Sequence, residues 1–253
     1  MRRGLSPTRE QARQAIEAGL VLVAGVVADK PARQVQPAEP VELVGPPRRF
    51  VGRGGEKLLA ALEQFHLDVS GQCALDAGSS TGGFTDCLLQ RGAAEVVSVD
   101  VGYGQLHERL RADPRVRSHE RQDIRTFDHD PFELVVADLS FISLRSVSAH
   151  IAGRLAAPRS DLVVLIKPQF EAGRAVVSRG RGVVRDPGAW LLAVNAVRSA
   201  MEAEGAAMMD VMVSPLKGAD GNVEFLAHLV AHAGTPGPEV DVVSLIDSIR
   251  EQA

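Results

Sequence analysis

Two periodicities alternate along most of this chain. Short apolar runs, several of which end in a charged residue, are followed by segments whose apolar residues recur with helical spacing. Strands that alternate with helices form a parallel sheet, so the pattern predicts an α/β fold. The predicted strands of this sheet are Ala74–Ala77, Glu95–Asp100, Val116–His119, Glu133–Ala137 and Asp161–Ile166.

The C-terminal third of the chain departs from this alternation. A helix is predicted over Trp190–Met201, and the segments Val211–Val213 and Val223–Leu229 predict two strands of a hairpin. A last helix is predicted over residues 241–249. On the N-terminal side of the sheet, apolar residues from Leu58 onward predict a helix that begins near Glu56.

The first fifty residues predict a separate small domain. Residues 8–18 are predicted to form a capped amphipathic helix, and the apolar segments Leu20–Val23 and Val26–Val27 predict two short strands. The proline-rich residues 29–50 are interpreted as the end of this domain and a linker. The predicted organisation is therefore a small domain with linker at residues 1–46, an α/β domain at 47–234 and a C-terminal helix and tail at 235–253.

Charge is distributed unevenly along the chain. The net charge is −4, yet residues 1–57 carry ten Lys and Arg against six Asp and Glu. A basic front on an acidic body suits the binding of a polyanion, and Arg2, Arg3, Arg9 and Arg13 are the candidates for contact with phosphates. The alternative is a solvated charged surface, which composition alone does not exclude.

Composition also bears on the cellular compartment. Cys73 and Cys87 are too few for a disulfide framework and are interpreted as buried thiols in a reducing compartment. The longest apolar stretch, Leu20–Ala28, is far shorter than the ~18 residues of a membrane-spanning helix. Because no apolar signal core precedes it, a cytoplasmic protein without a membrane segment is predicted.

A glycine-rich turn after the first strand is the strongest sign of a ligand site. The sequence Asp76-Ala-Gly78-Ser79-Ser80-Thr81-Gly82-Gly83-Phe84 joins this strand to a helix. It matches neither the dinucleotide fingerprint nor the P-loop. An acidic strand end before a looser glycine turn suits a cationic nucleoside, which indicates S-adenosylmethionine. The alternative is a turn that serves only tight packing of the strand on the helix.

Further carboxylates follow the next strands. Asp100 ends the second strand, 24 positions after Asp76, a separation close to the ~20 expected for an acid that binds ribose hydroxyls. Asp123 follows the third strand and could accept a hydrogen bond from an adenine amine. Ligands of open parallel sheets bind at this edge, so both residues are predicted to contact the cofactor.

Four more charged residues are predicted to converge on the same edge. Asp138 and Lys167 end the fourth and fifth strands, Lys57 lies in the first turn of the preceding helix, and Glu224 begins the last strand. The alternative is a pair of surface ion pairs. Transfer of a methyl group from a sulfonium to an alcohol requires alignment and removal of the hydroxyl proton. These four residues are predicted to perform it, and no metal is required.

Seven motifs in one order resemble those of the TlyA family. They are Val51-Gly-Arg-Gly-Gly-Glu-Lys57, Asp76–Phe84, Asp100-Val-Gly-Tyr-Gly-Gln-Leu106, Ala137-Asp-Leu-Ser-Phe-Ile-Ser-Leu144, Lys167-Pro-Gln-Phe-Glu171, Gly182-Val-Val-Arg-Asp-Pro187 and Gly221-Asn-Val-Glu224. These haemolysin-named proteins act as rRNA ribose 2′-O-methyltransferases and are related to FtsJ-type enzymes. The resemblance implies a Rossmann-like methyltransferase sheet that uses S-adenosylmethionine and modifies a cytidine of ribosomal RNA.

The resemblance also assigns individual residues. It implies a Lys-Asp-Lys-Glu catalytic tetrad at Lys57, Asp138, Lys167 and Glu224, a cofactor loop at residues 78–84, and Phe141 beside the methionine moiety of the cofactor. Arg53, in the first motif, joins the predicted RNA contacts. The N-terminal residues resemble part of an S4-like RNA-binding domain that is shortened at its start, and Gly52 stands where a serine is expected.

Two other functions remain open at this point. The older family name suggests a membrane-acting haemolysin, and a methyltransferase fold could instead act on a small molecule or a protein. Neither the modified nucleotide, the ribosomal subunit nor the oligomeric state follows from the residues.

Overall fold

A computed structural model describes residues 3–6, 9–17, 19–28, 30–44, 49–173, 180 and 182–251. The chain divides into two compact units, Met1–Arg48 and Arg49–Ala253. The predicted boundary after residue 46 lies outside the described residues. The C-terminal segment belongs to the second unit, because Val242 and Ile246 are buried in its core.

The first unit consists of one helix and a small antiparallel sheet. Helix α1 (Arg9–Glu17) precedes the strands β1 (Val21–Val23), β2 (Val26–Val27) and β3 (Val41–Leu43), which lie in the order β2-β1-β3. Strand β3 was not predicted, although it lies in the segment that was interpreted as the end of this domain and a linker. This strand has only three residues and follows a proline, so it carries almost no periodic signal, and pairing with β1 creates it.

The second unit is an α/β sandwich. Its elements in chain order are α2 (Gly54–Gln64), β4 (Cys73–Ala77), α3 (Gly83–Gln90), β5 (Glu95–Asp100), α4 (Glu108–Arg111), β6 (Val116–Glu120), β7 (Phe132–Ala137), β8 (Ala156–Ile166), α5 (Pro168–Glu171), α6 (Pro187–Ala203), β9 (Ala207–Val213), β10 (Phe225–Val230) and α7 (Val242–Glu251).

The seven-stranded sheet has the order β6-β5-β4-β7-β8-β10-β9. Strands β4 to β8 are parallel, and β10 runs antiparallel between β8 and β9. The predicted α/β sheet with a closing hairpin is therefore confirmed. The chain order reverses between β4 and β7, and such a reversal opens a crevice at the carboxyl ends of the strands.

Apolar residues cover both faces of the sheet. Leu75, Val135 and Trp190 lie in the core on one face, and Leu58 and Leu88 lie in the core on the other. Because parallel strands are covered on both sides, the central strands read as continuous apolar runs. Cys87 is buried, but the prediction of a buried Cys73 was wrong: it is the first residue of β4 and is exposed.

The start of α3 requires glycine for two separate reasons. Gly82 has a left-handed backbone with φ of 93°, and a Cβ atom there would overlap the side chain of Leu110. A Cβ atom on Gly83 would lie 2.9 Å from Gly55 N and 3.2 Å from Gly52 O. The starts of α2 and α3 therefore touch through their backbones.

Substitution can separate the two reasons why Gly82 is required, its left-handed backbone and the lack of space beside Leu110. Gly82→Ala should lower the free energy of unfolding by about 2–4 kcal/mol, because left-handed strain and overpacking add. Gly104→Ala is the matched control, since Gly104 has φ of 67° and a Cβ atom added there would meet no other atom within 4 Å. It should cost only about 1–2 kcal/mol. Equal losses in urea unfolding would contradict the overlap with Leu110.

Candidate active site

Four elements place charged residues at the carboxyl edge of the sheet. Asp138 follows β7 directly, and Lys167 follows β8. Phe225 pairs with Ile166, so Glu224, which precedes β10, lies beside the end of β8. Lys57 lies in the first turns of α2, which reach this edge because Gly54 packs on Phe84 and near Asp138.

Lys57 and Glu224 form a buried ion pair. The Lys57 ammonium donates a short hydrogen bond to Glu224 Oε2, and the two residues are only 4% and 3% exposed. Gly218 closes over the carboxylate, since a Cβ atom there would overlap Glu224 Oε1. Both charges are withdrawn from water, so each depends on the other for compensation.

Lys167 and Asp138 form the second pair. Lys167 Nζ lies 2.6 Å from Asp138 Oδ1 and donates a hydrogen bond of 2.8 Å to Ser140 Oγ. The lysine is 8% exposed, whereas the Asp138 side chain is 24% exposed. The structure therefore brings the four predicted residues to one edge as two ion pairs, of which the second is the more open.

A cleft of about 550 Å³ opens between β4, β5 and β7, beside Asp138. Its volume is within the range of small-molecule sites. Of the predicted cofactor residues, five line this cleft: Gly78, Ser80, Asp100, Asp123 and Phe141. The others have different surroundings. Ser79, Gly82, Gly83 and Phe84 are buried, and Thr81 is partly buried beside Gly52.

Asp76 lies beneath the glycine turn and is fully buried. Its Oδ2 accepts hydrogen bonds from the backbone N–H and the hydroxyl of Thr85, while its Oδ1 has no hydrogen-bond partner among the described residues. Burial raises the pKa of Asp76 to about 7, and the charges of Asp138 and Asp100 act in the same direction against the Thr85 bonds. A buried acceptor without a partner suits a ligand donor.

Asp100 and Asp123 already have partners within the protein. Asp100 accepts hydrogen bonds from the backbone N–H groups of Ser80 (2.8 Å) and Gly102 (2.6 Å), so it joins the glycine turn to the next loop. Asp123 is paired with Arg125, and hydrogen bonds from that residue lower the pKa of Asp123 to about 2. Each carboxylate still lines the cleft.

Several lining residues were not predicted. They include Val101, Gln105, Gln122, Ile124 and Ile142. Val101 is 70% exposed although it is apolar. It directly follows Asp100, the carboxylate at the end of the strand, and this position could have indicated that Val101 lines the site. The glutamines lie in loops without periodicity, so no local pattern distinguishes them.

Phe141 stands at the cleft with its ring 92% exposed. Its backbone is left-handed, with φ of 65°, and its ring lies 5.5 Å from that of Phe170. A left-handed bulky residue is uncommon and has to be held by its surroundings. The loop after β7 therefore presents an aromatic ring to solvent.

The predicted RNA contacts are of different kinds. In the first unit, the Arg3 guanidinium donates to the backbone oxygens of Gln36, Pro37 and Glu39, and Arg13 is paired with Glu17. Arg9 is exposed. In the second unit, Arg53 is exposed at the start of α2. Arg2 lies outside the described residues.

Neither a membrane span nor a metal cluster is found in the described part of the chain. No helix within the described ranges is long and apolar enough to span a membrane. The same ranges contain no group of three or more His, Cys, Asp or Glu residues that could hold a metal ion.

Comparison with known proteins gives a consistent result. The FtsJ-like methyltransferase family matches residues 50–231, and the S4 domain family matches residues 2–41. The chain is 46% identical, over 90% of its length and 87% of the relative, to the 16S/23S rRNA (cytidine-2′-O)-methyltransferase TlyA of Mycobacterium tuberculosis.

Solved structures agree with this sequence relationship. A candidate hemolysin from Streptococcus thermophilus superposes with a TM-score of 0.81 at 36% identity, covering 99% of this chain and 93% of the other. Magnesium protoporphyrin IX methyltransferase from Synechocystis, solved with bound SAH, has a TM-score of 0.52 at 17% identity, covering 71% and 82%, and shares the fold alone. With this sheet, this cleft and these matches, the chain belongs to the FtsJ-like methyltransferase family and carries an S4 domain at its N-terminus.

Proposed function

We propose that this protein transfers a methyl group from S-adenosylmethionine to a cytidine ribose 2′-hydroxyl of ribosomal RNA. The observation that carries the proposal is the Lys167–Asp138 pair, which lies beside the cleft and is open enough to meet a substrate hydroxyl. The relation to TlyA, whose name specifies this reaction, supports it. A membrane-acting haemolysin has no supporting observation among the described residues.

The residues that line the cleft, together with the buried Asp76 beneath the glycine turn, fit S-adenosylmethionine. The free Oδ1 of Asp76 is a buried acceptor suited to the ammonium of an amino acid, and Asp100 ends β5 where ribose hydroxyls are expected. Val101 and Ile124 offer apolar surface for a base. When bound, this cofactor supplies a methyl group on a positively charged sulfur.

In the proposed reaction, Lys167 receives the proton of the ribose hydroxyl. Lys167 has to lose its own proton to water before it can accept this one, and Asp138, 2.6 Å away, then stabilises the ammonium that forms. Ser140 holds the Lys167 nitrogen in place from the other side. The resulting ammonium then faces the oxygen while negative charge develops on it, which lowers the barrier.

The buried Lys57–Glu224 pair has a supporting role in this proposal. This pair is more buried than Asp138. It lies next to the backbone pairing of Phe225 in β10 with Ile166 in β8. It orients the end of β8, from which Lys167 projects, and adds a positive charge to the edge of the sheet.

The S4 domain and the exposed arginines are proposed to bind ribosomal RNA. The reaction is proposed to take place in the cytoplasm. Arg9 and Arg53 are exposed and can contact phosphates, whereas Arg3 stabilises its own unit through three backbone oxygens. In this proposal, the contacts to phosphates position the RNA, and the residues at the carboxyl edge of the sheet perform the methyl transfer.

Substitution of Lys167 tests the proton transfer. Lys167→Ala should lower the single-turnover methylation rate of an rRNA fragment by at least about a hundredfold while cofactor affinity is retained, since the lost contact belongs to the transition state. Lys167→Arg should not restore the rate, because a guanidinium keeps its proton. Turnover of the arginine variant at near wild-type rates would show that only a fixed positive charge is needed.

Asp76 gives a pH-dependent prediction. Its folded pKa of about 7 exceeds its ordinary value of 3.8, so its contribution to stability is greatest below pH 3.8 and is lost as the pH rises through about 7. Asp76→Asn should flatten this part of the stability profile, because an amide does not titrate in this range, and its oxygen can still accept from Thr85. It should also weaken S-adenosylmethionine binding about tenfold at pH 8, since the carboxylate charge is lost.

Chemical denaturation from pH 4 to 8 and calorimetric titration provide the two readouts. Asp128→Asn is the control, since this carboxylate is exposed and paired with Arg154 at the surface. If Asp76→Asn leaves the pH dependence of stability unchanged, the raised pKa of Asp76 is contradicted. If it leaves the affinity for S-adenosylmethionine unchanged, Asp76 is not part of the cofactor site.

Arg9 and Arg13 provide a matched pair for RNA binding. Arg9→Ala should weaken binding of an rRNA fragment and reduce the salt dependence of log K by about one unit of slope, as expected for one phosphate contact. Arg13→Ala should have a smaller effect, because Glu17 already compensates that guanidinium at 2.8 Å. Equal effects in binding assays across a salt series would contradict this assignment.

A further inference from the structure

Glu171 is a partly buried carboxylate that the proposed reaction does not use. Its Oε2 accepts a hydrogen bond of 2.5 Å from Ser143 Oγ, and its Oε1 accepts one of 2.8 Å from Leu144 N. Burial raises the pKa of this carboxyl, and the two hydrogen bonds and the charge of Arg145 oppose that rise. Both oxygens are therefore directed at one short segment of chain.

That segment is the end of the loop after β7. The loop begins with Asp138 and continues through Ser140 and Phe141, and its first residues line the cleft. A left-handed residue such as Phe141 needs external support, because its backbone conformation is disfavoured. Glu171 provides two hydrogen bonds at the far end of this loop.

The near end of the loop is held from the same short helix. Lys167 directly precedes α5 and donates to Ser140, and Glu171 is the last residue of α5. Both residues therefore contact the same loop, Lys167 through Ser140 and Glu171 through Ser143 and Leu144. Phe170 adds a ring contact to Phe141 between them.

We propose that Glu171 is a positioning residue, which holds the loop after β7 so that Ser140 orients the Lys167 ammonium against Asp138. This inference rests on the proposed function, since it concerns the placement of the proposed catalytic lysine. The hydrogen bonds of Glu171 go to Ser143 and Leu144 and not to Lys167 or Asp138, so it acts through the loop.

Two substitutions at one position separate geometry from charge. Glu171→Ala removes both acceptors and should lower the single-turnover rate at saturating cofactor and RNA by roughly tenfold or more, because small displacements of reacting groups are costly. Glu171→Gln should remain within about threefold of the wild-type rate, because its oxygen accepts from Leu144 while its amide donates to the Ser143 hydroxyl. A Gln variant as slow as the Ala variant would overturn positioning by hydrogen bonds.

A double-mutant cycle distinguishes positioning from general loss of structure. If Glu171 acts through Ser140, Glu171→Ala should slow a Ser140→Ala enzyme by no more than about threefold, because the coupled contact is already absent. If Glu171→Ala slows the Ser140→Ala enzyme as much as it slows the wild-type enzyme, the proposal is overturned. Ser146→Ala is the control, since it removes a hydroxyl bond to Ser143 O in the same turn without touching Glu171, and it should keep the wild-type rate.

The remaining outcomes are also decisive. If thermal unfolding shows that Glu171→Ala does not fold, Ser143→Ala removes one of the same hydrogen bonds from the loop side and takes its place in the cycle. An inactive Lys167→Ala enzyme beside a fully active Glu171→Ala enzyme would overturn the positioning role alone. Full activity of both variants would overturn the proposed function as well.

Discussion

The approach of two glycine-rich backbones is the constraint on which the site depends. Gly83 meets the backbone of Gly52 and Gly55 at distances that leave no room for a side chain. This contact joins the start of α2 to the start of α3 and so to the end of β4. Because α2 begins at this edge of the sheet and contacts β10, Lys57 can reach Glu224, which directly precedes β10.

Burial then determines how the charged residues can be arranged. A charge inside a protein is tolerated when it is paired and hydrogen-bonded, and loss of one partner leaves an uncompensated charge. Lys57 and Glu224 satisfy each other almost completely out of water, whereas Lys167 has Asp138 and Ser140 as partners at a more open position. The same residue types therefore form a buried structural pair and a more open pair, to which the proposed reaction is assigned.

The short helix α5 links the fold to the chemistry. It follows the end of β8 directly, contains only Pro168–Glu171, and is flanked by contacts to the loop after β7. Two neighbouring strand ends are thereby held in register beyond the last hydrogen bonds of the sheet. Such local bracing is required where a lysine must be placed accurately against a carboxylate.

Sequence by itself determined the order of strands and helices, because buried parallel strands and amphipathic helices have strong periodic signals. It also placed Asp138, Lys167 and Glu224 at one edge, since strand ends are readable from where apolar runs stop. It did not predict β3, because three residues beside a proline carry too little periodic signal. It also did not predict that Val101 and Ile124 line the cleft. Partner choice was decided only by the tertiary structure: which lysine meets which carboxylate, and that Glu171 holds Ser143 and Leu144. These contacts join residues far apart in the chain, and local periodicity contains no information about distances across a fold.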